Sequence, residues 1–259
     1  MCRCQITVLG SSSGMPSPSR FCSSFFFHTE KLDFLVDCGE GTSFSLLRNN
    51  IDPELIDHIF ISHSHVDHLG GLFLFIQMMH LLQSRGSLKI FLPEEAIPGV
   101  KGFLQTCYLF PEKITPQVSL HPVTSDFMFE GRGITVKAQA NRHLMGNEMA
   151  IDESGYPNRM QSFCFVLNVC NKKIVYSGDI ESSNDLSDMI HDADLLITEC
   201  FHPQLEELIS LMTDKAVKSA VFTHMASEFE HKDSEILAKA RKMGFAKLMM
   251  AHDGMVIGI

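Results

Sequence analysis

Six residues constrain this chain more than any others: His63-Ser64-His65-Val66-Asp67-His68, set directly after the apolar run His58-Ile59-Phe60-Ile61-Ser62. An apolar, β-branched run that ends on three imidazoles and a carboxylate describes a strand delivering ligands to one spot. Imidazole and carboxylate together suit a borderline cation such as zinc, manganese or iron. Strand alternation aims His63 and His65 the same way, while Asp67 and His68 fall where the chain bends and face a second ion. One run supplies too few donors for two ions. Three more polar residues each end a β-rich run and qualify: His143 after 134–142, Asp179 after 173–178 and His224 after 219–223.

Around these residues the pattern alternates short apolar runs with longer helical ones. Strands are expected at 5–9, 24–28, 34–37, 58–62, 88–92, 134–140, 162–169, 173–177, 195–198, 220–223 and 247–251. Helices are expected at 42–48, 69–83, 94–107, 204–212 and 234–243, with Gly70 and Gly71 at the entry of the second allowing close backbone approach. Asn171-Lys172 reads as a hairpin turn, and 142–159 as a loop. An early β-meander followed by strand–helix alternation makes a mixed, layered fold. A chain of 259 residues, 45% hydrophobic, has enough material for a sizeable core.

Charge narrows the partners. Twenty-one Lys+Arg against 31 Asp+Glu leave a net −10, a poor electrostatic match for long nucleic acid. A small phosphate ester held by metal ions stays compatible with it. The most apolar run, 69–82, is interrupted by Gly, Gln and His and is too short to span a bilayer, so no membrane partner is expected. No export signal is visible and the eight cysteines contain no CxxC pair. They read as reduced thiols of a cytoplasmic protein, with Cys2 and Cys4 as ordinary thiols beside a strand start.

The ordered motifs resemble the metallo-β-lactamase superfamily, and more closely its ribonuclease Z-like branch of phosphodiesterases. They are Leu9-Gly-Ser-Ser-Ser-Gly14 with Pro16 and Pro18, Leu35-Val-Asp-Cys-Gly-Glu-Gly-Thr42, the His63–His68 run, Ser177-Gly-Asp179, Leu195-Leu-Ile-Thr-Glu199, Thr223-His224 and Ala251-His-Asp-Gly-Met255. The resemblance implies an α+β, four-layer αβ/βα sandwich over residues 1–259 as one domain. It implies two divalent metal ions, zinc first and manganese or iron as alternatives. One ion would take His63, His65 and His143; the other Asp67, His68 and His224, with Asp179 bridging. Asp37 would stand behind the metal histidines and fix an imidazole tautomer. It also makes a homodimer reasonable.

Two such ions lower the pKa of a shared water towards neutrality and give a hydroxide nucleophile. Asp67, besides being a ligand, would orient that water, and His202 would protonate the leaving group. Two departures from ribonuclease Z direct the reading away from tRNA. Only 36 positions separate His143 from Asp179, leaving little room for a long tRNA-clasping arm, and the extra histidine after 198–201 has no clear equivalent except His202. The expected substrate is therefore a small cyclic or diester phosphate. The same metals would serve a thioester or lactone hydrolase, and a non-catalytic sensor is the reading from another class. His252 is left between a place near the site and a surface role; Arg142 and Arg159 are candidate phosphate contacts.

Overall fold

In the computed structural model, which describes residues 3–226 and 231–259, the chain builds two seven-stranded sheets. Cys2 lies outside the described residues. The first sheet runs in the order β14 (Val256–Gly258), β1 (Cys4–Gly10), β2 (Ser24–Thr29), β3 (Asp33–Val36), β4 (Ile56–Phe60), β5 (Ser87–Pro93) and β6 (Gln117–Val123). The second runs β13 (Leu248–Met250), β12 (Ala220–Thr223), β11 (Leu195–Glu199), β10 (Lys172–Tyr176), β9 (Phe163–Val169), β8 (Ile134–Ala140) and β7 (Met128–Gly131).

Side-chain alternation sorts each strand between two cores. In β2, Phe25 and Phe27 join the core between the sheets, where they meet Phe165, Leu167 and Tyr176 of the opposite sheet. Phe26, between them, faces the other way into a second core with Leu46, Phe75, Ile76 and Leu104. Those residues belong to α1 (Thr42–Arg48), α3 (Leu72–Leu81) and α4 (Ile97–Thr106). A third core lies on the far side, where α6 (Leu205–Asp214) and α7 (Asp233–Lys242) cover Val175, Leu196 and Phe222. Burying one such Phe side chain is worth about 1.5–3 kcal/mol. Helices, sheet, sheet, helices: this is the α+β, four-layer αβ/βα sandwich that the resemblance implied. Among the described residues no helix is long and apolar enough to cross a membrane.

The departures from the sequence expectations have local causes. The helix expected at 69–83 is two, α2 (Val66–Leu69) and α3, separated by Gly70 and Gly71. A Cβ on Gly71 would stand 2.0 Å from the Gly39 carbonyl oxygen, and one on Gly39 2.1 Å from that of Asp67. The break lets the 37–39 segment lie directly against the ligand run. Residues 142–159 are not all loop: α5 (Glu148–Ser154) forms there with no buried residue, so it left no apolar stripe to read. The hairpin turn between β9 and β10 is Cys170-Asn171, both with positive φ (53° and 61°), and Lys172 already pairs with Val169. The meander holds for β1–β2–β3, which are antiparallel, and gives way to parallel pairing from β3 to β6. Cys4, Cys22, Cys38, Cys107, Cys164 and Cys200 are free thiols. Cys170 is disulfide-bonded, which corrects the expectation that all the cysteines are reduced.

Candidate metal centre

β4 ends at Phe60, so His63 and His65 stand on the loop beyond the strand rather than on it. That corrects the alternation argument, although the two rings remain neighbours with centroids 4.8 Å apart. The loop is held from behind by the 37–39 segment. Cys38 N donates to His68 O at 2.8 Å and Gly71 N to Cys38 O at 2.9 Å. Asp37, fully buried, accepts from Ser62 N (2.7 Å), Ser62 Oγ (2.9 Å) and His68 Nδ1 (2.6 Å).

From the second sheet, His143 follows β8, Asp179 follows β10 and His224 follows β12. Gly178, at φ 55°, turns the chain so that Asp179 enters the centre. Asn141 fixes two of these segments together, donating from Nδ2 to Asp179 O at 2.9 Å and accepting from His143 N at 3.1 Å. The structure thus brings all seven expected ligands to one place. His63, His65, His143 and Asp179 offer donor atoms within 4.8 Å of one another, as do Asp67, His68, Asp179 and His224. Asp179 belongs to both groups: Oδ1 lies 3.2 Å from His68 Nε2, and Oδ2 lies 3.2 Å from His224 Nε2 and 3.6 Å from His143 Nε2.

These donors fit divalent ions. His63 Nε2, His68 Nε2 and Asp179 Oδ1 are buried without a hydrogen-bond partner, an arrangement that is costly unless something else occupies their lone pairs. Burial, reinforced by His68 nearby, pushes His63 well below the usual imidazole range. Burial likewise brings His143 down to about 4. Both stay neutral, which metal ligation requires. For Asp67 burial works the other way, but the hydrogen bond with His224 and the His68 imidazole 3.4 Å away outweigh it and hold the carboxyl ionised.

His202 faces the same cleft, its ring 5.1 Å from that of His143. Its Nδ1 lies 2.8 Å from Glu199, whose carboxylate is fully buried and also accepts from Ile180 N and His202 N. The Glu199 hydrogen bond raises the His202 pKa against the opposing effect of burial. Sequence reading left Glu199 without a role. The signal was there, an acidic residue ending an apolar strand three positions before a histidine. His252 is exposed and lines a different cavity with Arg20 and Arg48, away from the metal cleft. Arg142 pairs with Glu181 and Arg159 with Glu94, each at 2.8 Å, so neither guanidinium lines the cleft as a phosphate contact.

Residues 4–252 match the family described as anti-Pycsar protein Apyc1. The chain belongs to that family. This Apyc1-family chain is also 27% identical over 242 residues to a ribonuclease Z of Ignicoccus hospitalis, covering 80% of the chain and 79% of that relative. With a ribonuclease Z of Microcystis aeruginosa it shares 32% identity over 159 residues, 60% of the chain but only about half (49%) of the relative's length. Among solved structures, the metallo-β-lactamase fold protein YhfI from Bacillus subtilis superposes with TM-score 0.78 at 18% identity, with both chains fully covered. The short form of human tRNase Z gives 0.73 at 22% identity, covering 98% of each chain. The Apyc1-family chain therefore has the metallo-β-lactamase fold and stands among ribonuclease Z-like proteins.

Proposed function

We propose that the chain is a dinuclear metal-dependent phosphodiesterase acting on a small cyclic or diester phosphate. The observation that carries this reading is Asp179, a buried carboxylate within reach of two separate sets of imidazole donors. Two divalent ions bound there would activate water and neutralise charge on the phosphate. One ion would be held by His63, His65 and His143, the other by Asp67, His68 and His224. Asp67 orients the attacking water, and His202, whose protonated form Glu199 favours, donates to the leaving oxygen.

What lines the cleft supports a small substrate. About 360 Å³ lies between Gly14, Met15, Phe201 and the ligand side chains, and none of the described residues that line it is Lys or Arg. A small diester fits such a space, its charge met by the ions. Between His143 and Asp179 the chain is occupied by α5, β9 and β10, which argues against a tRNA-clasping arm there. The relatives called ribonuclease Z and tRNase Z keep RNA as the competing substrate, so the assay includes it.

Asp179→Ala should lose metal and activity together, read by metal analysis and turnover of a chromogenic phosphodiester. A variant that keeps two ions and full turnover overturns the bridging assignment. Hydrolysis of thioesters or lactones but not diesters overturns the substrate class, and efficient cleavage of precursor tRNA overturns the size limit.

A further inference from the structure

Tyr176 is not among the ligands, yet it is buried directly behind them. It ends β10 in the second sheet, whereas Asp37 follows β3 in the first. The Tyr176 hydroxyl donates to Asp37 Oδ2 at 2.5 Å across the space between the sheets. Its ring is fixed by Phe25, with centroids 5.3 Å apart. The same Oδ2 accepts from His68 Nδ1 and Ser62 Oγ. Ser62 Oγ already donates its hydrogen bond to Asp37, so it accepts from His63 Nδ1 at 3.0 Å. Both imidazoles thereby have Nδ1 committed and Nε2 directed to the centre.

Of the four hydrogen bonds on the Asp37 carboxylate, three come from the ligand loop itself. Among the described residues, Tyr176 alone supplies one from outside it. Asp37 also holds φ at 57°, a left-handed backbone that a non-glycine residue keeps only when its surroundings enforce it. We propose that Tyr176 is a positioning residue for the metal centre: its hydroxyl holds the Asp37 carboxylate at the angle that fixes the His68 ring and, through Ser62, the His63 ring. The competing account is that the phenol is simply a core side chain satisfying its own hydrogen bond. That account predicts altered stability and no effect on metal.

The inference rests on the ligand assignment above, and the test separates the two. Tyr176→Phe keeps the ring and its packing and removes only the hydroxyl. The wild type and variant are loaded with cobalt(II), the absorption spectrum is recorded, and affinity is measured by competition with a chelator. Metal-free unfolding is followed alongside. Expected are a shifted cobalt spectrum and about tenfold weaker binding of one of the two ions, the range for partners that orient a metal ligand. Identical spectra and affinities, with any change confined to metal-free stability, overturn the positioning role and leave the ligand assignment standing. A wild type that takes up no ion overturns both.

Discussion

At the residue scale the centre shows how one side-chain type is given different tasks by what it faces. His143, buried among other imidazoles, is pushed down to about 4 and offers a lone pair. His202, 5.1 Å away, is raised by a buried glutamate, which suits the proton donor proposed above. In the proposed mechanism, two titratable groups driven apart by their environments would divide the acid role from the ligand role. His202→Ala is therefore expected to keep both ions and to lower kcat about 10²–10⁴-fold on substrates with a poor leaving group. With a p-nitrophenyl leaving group, which departs without help, the loss should be far smaller. Equal losses on both substrates would remove His202 from the acid role. The ligands were legible because each is a polar residue interrupting or ending an apolar run. Tyr176 was not, because a tyrosine at a strand end carries no mark of the partner it meets across the fold, here Asp37, 139 positions away.

At the scale of elements, sequence reading was most direct where a strand is covered on both faces. β2 and β9, sorted between two cores, announce themselves by their apolar residues. β6, β7 and β14, which had no counterpart in the sequence reading, are all sheet edges. Edge strands are short or half-exposed, and β6 contains Pro122, so the continuous apolar run that marks a strand covered on both faces is absent. The parallel strands of the second sheet begin at a shared anchor, Asp194. It accepts from Lys173 N at 2.9 Å, Lys218 Nζ at 2.9 Å and Lys172 Nζ at 3.2 Å. Burial opposes its charge, but these bonds prevail and bring its pKa down to about 2. The folded value lies below the unfolded one, so the stabilisation is full above the ordinary carboxylate range and is lost as pH falls through about 2. Asp194→Asn should cost about 1–2 kcal/mol at pH 7 by urea unfolding, with the gap from wild type closing in acid. A gap unchanged at pH 2 would show that the charge contributes nothing.

For the whole molecule, the decisive fact is that the first sheet's loops supply His63, His65, Asp67 and His68 while the second sheet's supply His143, Asp179 and His224. Ions bound at the centre would connect the two halves, and ions that bind only the folded state stabilise it by mass action. At a free concentration a hundred times Kd, each contributes about 2.7 kcal/mol. Chelation should accordingly lower Tm, and restoring zinc or manganese should return it; a Tm indifferent to chelator would exclude ions shared between the halves. The same division sets an order in time. Closing contacts between residue 63 and residue 224 is among the slowest steps a chain of this topology takes. A partly folded chain presents only one side of each coordination shell and has little hold on a cation. Metal uptake would then come last, on molecules whose two sheets have already docked, and the arrival of the ion would report that folding is finished.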